Sequence, residues 1–299
     1  PENVADILYT TGTTGKQKGT MLSHRAIIAN AENLIYAQAF SRETAFIISG
    51  PLNHIGSLSK VWPTIILGGS IIITEGVKNM SEFFSALDYP YRKMATFLVP
   101  ASIRMLLQFA ENQLKSYADK IDFIETGAAP ISNDDMIKLC ELLPNTRLYN
   151  TYASTETGII CTHNYNSNYC VAGCLGRPMK HSKLFISEEG TIICSGETLM
   201  TGYANDEELT RKVLHDGCVY TNDKGFIDSE GRLQLSGRED DIINVGGYKV
   251  NPIEVENVAL SFSEISDCIC IADKHPVLGV ALRLLVVTQE SKPLDKKQL

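Results

Sequence analysis

Tyr9-Thr10-Thr11-Gly12-Thr13-Thr14-Gly15-Lys16-Gln17-Lys18-Gly19 is the stretch whose reading decides the fold. It continues a run, Ile7-Leu8-Tyr9, that reads as the end of a strand, and it precedes an apolar-periodic segment, residues 26–39, that reads as a helix. Its three glycines admit backbone angles that other residues resist. Five hydroxyls, counting Tyr9, and two lysines offer donors, with no carboxylate among them to repel an anion. A loop of this composition can wrap phosphates with N–H groups, hydroxyls and ammonium charge. No Gly-x-x-x-x-Gly-Lys-Ser/Thr can be read in it, so it is not a Walker loop. A flexible Thr/Gly turn is the plain alternative, and the strength of the bias argues against it.

Outward from this stretch, strands and helices alternate. Ser23 can cap the helix through Ile27, Ile28, Asn30 and Leu34. Phe46-Ile47-Ile48-Ser49 reads as a buried strand ending at the loop Pro51-Leu52-Asn53-His54-Ile55-Gly56, and an apolar helix is expected over residues 58–67. Gly68-Gly69 breaks it, and a strand over 70–74, a short helix over 81–87 and a strand over 95–99 follow. Pro100 opens a helix expected to reach about residue 112, and residues 121–125 form another strand. This alternation predicts an α/β fold, a helix-covered, mostly parallel sheet with its ligands at the carboxyl ends of the strands. The loops at residues 9–19, 51–56 and 127–130 are all expected there. From residue 165 the pattern changes to short strands and glycine turns.

The chain has 299 residues, is 44% hydrophobic and carries a net charge of −8, enough for a sizeable core and contrary to non-specific nucleic-acid binding. Its apolar runs, such as residues 282–287, are far too short to cross a bilayer. No signal-peptide pattern precedes the first strand, and eight scattered cysteines suit a reducing compartment, so a cytoplasmic setting is expected. Cys170-x-x-x-Cys174 and Cys268-x-Cys270 lack a second matching pair and read as ordinary thiols rather than metal ligands.

The stretch at residues 9–19 resembles the phosphate loop of the adenylate-forming superfamily, which includes acyl-CoA synthetases, nonribosomal adenylation domains and beetle luciferase. Gln17 stands where that loop usually carries Pro. Four further runs resemble the family's motifs in the same order. Thr126-Gly127-Ala128-Ala129-Pro130 is similar to its adenine-binding segment, and Tyr152-Ala153-Ser154-Thr155-Glu156 to its Tyr-Gly-x-Thr-Glu, with Ala153 in place of Gly. Thr221-Asn222-Asp223-Lys224-Gly225 resembles Thr-Gly-Asp-x-Gly, and residues 235–250 resemble the hinge motif.

The resemblance implies a nucleotide site. Thr10, Thr11, Gly12, Thr13, Thr14, Gly15 and Lys18 would hold phosphates, and Gly127, Ala128 and Ala129 would border the adenine, with the Tyr152 ring against it. Thr155 would hold the α-phosphate and Glu156 a Mg²⁺ ion, a metal that takes few protein ligands and phosphate oxygens for the rest. Asp223 would accept from the ribose diol, and Arg238 would donate to ribose or phosphate. Asp240 falls on the family's hinge, and Gly246 and Gly247 on the loop lining its pantetheine channel, while Asn244 stands where Lys is frequent. The resemblance thus implies three parts: the α/β part of the large domain over 1–164, a small β-barrel-like subdomain over 165–238, and the start of an α+β C-terminal lid, incomplete here, over 239–299. His54 and Gly127 would border the carboxylate pocket, and no Asp stands near His54 to receive an amino group. Leu58, Val99, Ile103 and Ile159 are either pocket or core.

Lys18, Thr155, Glu156 and Arg238 are thus the expected catalytic groups of an AMP-forming acid–CoA ligase using ATP, Mg²⁺ and CoA. Its substrate would be a small-molecule carboxylate, a long-chain fatty or other apolar acid. No nucleic-acid partner or transmembrane segment is expected, and a homodimer is compatible with this reading. Two alternatives stand beside it: an adenylating enzyme that loads an amino or aryl acid on a carrier protein, and a non-catalytic nucleotide-binding remnant. The family carries a catalytic lysine in a Gly-Lys-x-x-Arg-type segment late in the lid. Lys292, Lys296 and Lys297 lie too early for that role. The chain is therefore expected to be the central part of a longer protein, and inactive as a ligase by itself.

Overall fold

The structure, a computed structural model, describes residues 1–299 except 12–16, 92, 168–172, 246–247, 263, 276–278 and 289–299. The chain divides into two compact units, Pro1–Thr221 with Phe226–Leu235, and Asn222–Gly225 with Ser236–Leu299.

The first unit is built on the expected parallel strands. Ser70–Ile73, Thr44–Ile48, Lys93–Phe97, Ile121–Thr126 and Arg147–Ser154 lie side by side, each parallel to the next. Every residue of Thr44–Ile48 is buried, the pattern of a strand covered on both faces. Ala45 and Ile47 face one core cluster with Phe83, Leu87, Ile103, Leu106 and Leu139, while Phe46 and Ile48 face another with Leu34, Phe40, Phe123 and Tyr149. Each such large apolar side chain stabilises the fold by roughly 1.5–3 kcal/mol on burial. Helices His24–Gln38, Met80–Leu87, Pro100–Phe109 and Asn133–Leu142 supply the cover. Ser23 caps the first, accepting from the Ala26 N–H at 3.1 Å, and Pro100 opens the third.

The sheet does not stop at its parallel part. Gly158–Asn164 pairs antiparallel with Arg147–Ser154, and Cys174–Pro178 pairs with Gly158–Asn164 in turn. Leu233 and Gln234 then pair with Cys174–Pro178, and the hairpin of Ser182–Ile186 with Thr191–Gly196 lies at the far end of the same hydrogen-bonded sheet. The β-rich segment is thus continuous with the parallel sheet.

The opening stretch differs from its sequence reading. Val4–Thr11 and Gln17–Ser23 form an antiparallel hairpin, Tyr9 opposite Gly19 and Thr10 opposite Lys18. The hairpin belongs to a separate three-stranded sheet completed by Gly202–Tyr203, not to the parallel sheet. Leu8 and Leu22 bury one face of it with Ile55, Met200 and Tyr203, which favours the hairpin over an open loop. The apolar helix expected over 58–67 is two pieces, Ile55–Leu58 and Val61–Ile66. Pro63 lies in the first turn of the second piece, where a missing N–H leaves no intrahelical bond unmade. The helix after Pro100 ends at Phe109, and Glu111–Ser116 follows as a separate short helix.

The second unit holds the hairpin Ile243–Val245/Tyr248–Val250, the helix Pro252–Leu260 and the long hairpin Ile265–His275/Gly279–Thr288. The Asn251 side chain caps the helix by accepting from the Ile253 N–H at 3.1 Å. Glu256 ties helix to hairpin by accepting from the Cys270 N–H at 2.8 Å.

Candidate active site

Lys18 and Glu156, far apart in sequence, are brought together by residues 200–204. The Met200 N–H donates to the Glu156 carbonyl at 2.9 Å, and the Ala204 N–H to the Gly19 carbonyl at 2.8 Å. Between these bonds Gly202 pairs with Met21 and Tyr203 with Thr20. The Tyr203 hydroxyl donates to Glu156 Oε1 at 2.8 Å, and Lys18 Nζ lies 5.7 Å from the centroid of the Tyr203 ring. Burial first, and the neighbouring Glu156 carboxylate second, push the Tyr203 phenol far above its ordinary range, so it stays a donor.

Thr155 and Glu156 sit on a turn closed by two reciprocal bonds. The Ser154 N–H donates to Thr157 Oγ1 and the Thr157 N–H to Ser154 Oγ, each at 3.1 Å. Thr157 is fully buried, and its carbonyl accepts from Thr198 Oγ1 at 2.8 Å. Gly158 follows with φ +69°, and a Cβ there would stand 2.6 Å from Asn30 Oδ1. Asn30, itself buried in the first helix, uses that oxygen to accept from the Ile159 N–H at 2.7 Å. Asn30, Thr198 and Tyr203 carry no motif signature of their own, and sequence reading passed over their part in the site. Asn30 is one of several polar residues in its helix, Asn33 and Gln38 being buried as well, so the sequence carries no distinct signal for it.

The segment after Ile121–Thr126 runs through Gly127, buried, to Ala128, Ala129 and Pro130, all exposed. A Cβ on Gly127 would stand 2.8 Å from the Thr151 carbonyl oxygen, so only glycine lets this segment lie so close to the neighbouring strand. Ala128 holds a left-handed φ of +67°, a strained angle for a residue with a Cβ. Tyr152 is 6% exposed and packs among Ile160, Cys161 and Leu175, so its ring is largely a core group. His54 is exposed and caps the short helix Ile55–Leu58. Its Nδ1 accepts from the Gly56 N–H at 3.1 Å. Gly56 and Gly127 both lie against the Phe97 ring. Of the four apolar candidates, Ile103 and Ile159 are core residues at 1% exposure.

Asp223 and Arg238 belong to the second unit, where Arg238 Nε donates to Asp223 Oδ1 at 3.1 Å. Lys224 pairs with Glu239 beside them at 3.2 Å, and a cleft of about 700 Å³ opens along Lys224, Arg238, Asn251, Val255 and Phe262. Asp240 lies in the 3₁₀ turn Glu239–Asp241. Gly12, Thr13, Thr14, Gly15, Gly246 and Gly247, and the side chains of Thr11 and Asp240, lie outside the described residues.

No group of three or more His, Cys, Asp or Glu side chains among the described residues could by itself hold a metal. One half-buried carboxylate, Glu156, suits Mg²⁺ held mainly by phosphate oxygens. No helix among the described residues is long and apolar enough to cross a membrane.

The structure thus gathers a hairpin cation and a carboxylate about Tyr203, with Glu156 and the Gly127 segment each following a strand of the parallel sheet. The chain belongs to the AMP-binding enzyme family, whose model matches residues 1–204. Among curated relatives it is 27% identical to 4-coumarate–CoA ligase 3 of Oryza sativa subsp. japonica, over 100% of this chain and 57% of that protein. It is 29% identical to indoleacetate–CoA ligase of Aromatoleum aromaticum, over 99% of this chain and 59% of that protein. The chain therefore spans a little over half the length of these relatives. ATP-bound MatB from Rhodopseudomonas palustris superposes with a TM-score of 0.88 at 24% identity, over 99% of this chain and 60% of that one, a likeness of fold.

Proposed function

We propose that the protein is an AMP-forming acid–CoA ligase. The observation that carries this reading is the fixing of Lys18 and Glu156 against one residue, Tyr203, in a single backbone frame. That frame offers a cation for phosphates and a hard carboxylate for the metal ion that accompanies them. The names of the relatives, both CoA ligases, support the same chemistry.

In the first step a carboxylate oxygen of the acid attacks the α-phosphorus of ATP, and the bond to pyrophosphate breaks. In the second, the CoA thiol attacks the acyl carbon and AMP leaves. When bound, Mg²⁺ held by Glu156 and phosphate oxygens supplies positive charge to the nucleotide. The protein's own contribution is positioning and electrostatics. Lys18 meets charge on the phosphates, and the Thr155 hydroxyl, on its double-locked turn, donates to the α-phosphate. Gly127 gives the adenine and the acid a wall without a side chain, and His54 stands at the mouth of the acid pocket. Asp223, oriented by Arg238, is the proposed acceptor for the ribose hydroxyls.

The acid is proposed as an apolar carboxylic acid. The relatives are named for 4-coumarate and indoleacetate, so a long-chain fatty acid is one candidate of this class and draws no support from them. The test is ATP–pyrophosphate exchange by the full-length protein across aryl, medium-chain and long-chain acids, followed by thioester formation with CoA. Exchange with at least one acid and a CoA thioester from the same acid are expected. No exchange with any acid, or transfer only to a carrier-protein thiol, would overturn the reading.

A further inference from the structure

Tyr203 is 4% exposed, and its ring packs with Leu8, Leu22, Ile55 and Met200. Its backbone N–H donates to Thr210 Oγ1 at 2.8 Å, and its strand is paired to Gln17–Ser23. The residue before it is fixed as well, because Gly202 has φ +144° and a Cβ there would meet Thr210 Cγ2 at 2.8 Å. The Tyr203 hydroxyl is thus held at the end of a rigid post, and from there it donates to Glu156 Oε1. Glu156 is half-buried, and a glutamate side chain left to itself samples many rotamers.

We propose that Tyr203 is a positioning residue that fixes the Glu156 carboxylate for the metal ion carried in with the nucleotide, and holds Lys18 in register with it. The proposal rests on the ligase reading for the metal and the nucleotide. A hydroxyl donating to Oε1 restricts the rotation of the carboxylate and so sets the direction in which the group accepts a cation. Outer partners of this kind orient metal ligands generally, and their loss weakens metal binding. Because the same ring carries Lys18 above it, one residue sets two of the charges that the nucleotide's phosphates and metal would meet. The plain alternative is that a buried phenol needs an acceptor and Glu156 happens to be it.

The two are separated by Tyr203→Phe, which keeps the ring and removes the donor. ATP binding to the full-length protein is measured by calorimetry at a series of free Mg²⁺ concentrations, beside AMP binding without Mg²⁺ and the thermal midpoint. We expect the Mg²⁺ midpoint for ATP binding to rise about tenfold, the low end for such partners, while AMP affinity stays level. In a Glu156→Gln background, Tyr203→Phe should change the Mg²⁺ midpoint no further. If the Phe variant does not fold, Tyr203→Leu, which also keeps an apolar group in that place and lacks the donor, should raise the midpoint instead. An unchanged Mg²⁺ midpoint in the variant measured overturns the role of Tyr203 and leaves the ligase reading intact. A parent protein whose ATP binding ignores Mg²⁺ overturns the metal assignment in the ligase reading itself.

Discussion

Lys60 Nζ lies 2.8 Å from Glu125 Oε1, and the two side chains are 0% and 1% exposed. Lys60 also donates to Ser59 Oγ at 3.0 Å and stands 5.3 Å from the centroid of the Phe97 ring. Among the described residues, Glu125 Oε2 is buried with no hydrogen-bond partner. The pair joins the start of Val61–Ile66 to the strand that ends in the Gly127 segment. Removing one charge leaves the other buried and unpaired, typically at a cost of about 3–5 kcal/mol, whereas replacing both with apolar groups of similar volume is often neutral or stabilising. Lys60→Met should therefore lower the unfolding free energy by that order, and Lys60→Met with Glu125→Met should recover most of it. Urea unfolding reads both, and a double variant no more stable than the single one would show that charge pairing is not the issue.

Stability should also depend on pH through Glu32. This carboxylate accepts from His181 Nε2 at 2.7 Å and Lys180 Nζ at 3.0 Å, and these bonds, His181 first, hold its carboxyl below the ordinary value of 4.5. A carboxyl whose folded pKa is depressed stabilises the fold above its unfolded value, and that contribution is lost as pH falls through the folded value. Glu32→Gln should thus be less stable than the parent near neutrality, with the difference closing in acid. Unfolding midpoints from about pH 6 to about pH 3.5 check this, and parallel curves for the two proteins would count against it.

What sequence made legible were the features set by local chemistry. Phe46-Ile47-Ile48 reads as a buried strand because β-branched and aromatic residues in a short run suit that place. Ser23 and Pro100 mark helix starts by hydroxyl and by ring. The order of the motifs led to the family now matched over residues 1–204. What was not legible depends on partners distant in the chain. The opening hairpin needs Gly202–Tyr203 to complete its sheet, and a strand–loop–helix reading of residues 9–39 has no local reason to expect that. Lys60 in an apolar segment reads as a surface cation until Glu125 is placed beside it. The burial of Tyr152 follows from its pairing with Cys161, which motif spacing does not encode.

The Gly127 segment admits a steric test. A methyl group at Gly127 meets the Thr151 carbonyl oxygen at 2.8 Å, and that oxygen lies in the strand Arg147–Ser154, where it cannot yield without disturbing the sheet. Gly127→Ala should cost about 1–3 kcal/mol of stability, the usual range for overpacking, and weaken ATP binding. Ala128→Gly, at φ +67°, relieves a left-handed angle while loosening the unfolded chain, and should be close to neutral. Thermal unfolding and nucleotide titration separate the two. Equal losses from both substitutions would mean that close backbone approach at Gly127 is not what the segment requires.

Asp223 and Arg238 should behave as one unit toward the ribose. Arg238 Nε donates to Asp223 Oδ1 at 3.1 Å, and the carboxylate is the more buried of the two, 18% exposed against 52%. The arginine therefore orients the acceptor, and the diol would be held by charge-assisted bonds to the carboxylate. Asp223→Ala should weaken AMP binding by about 1.5–3 kcal/mol, the usual worth of hydrogen bonds to a charged group. Arg238→Ala should lose part of the same energy by leaving Asp223 unoriented, and the double substitution should cost less than the sum, as expected for residues in direct contact. The matched ligand is 2′,3′-dideoxy-AMP, which lacks the hydroxyls. The parent should discriminate AMP from it strongly and Asp223→Ala hardly at all. A variant at Asp223 that still prefers AMP by the parent's margin would place the ribose elsewhere, and strictly additive losses from the two substitutions would show that Arg238 acts on the nucleotide without passing through Asp223.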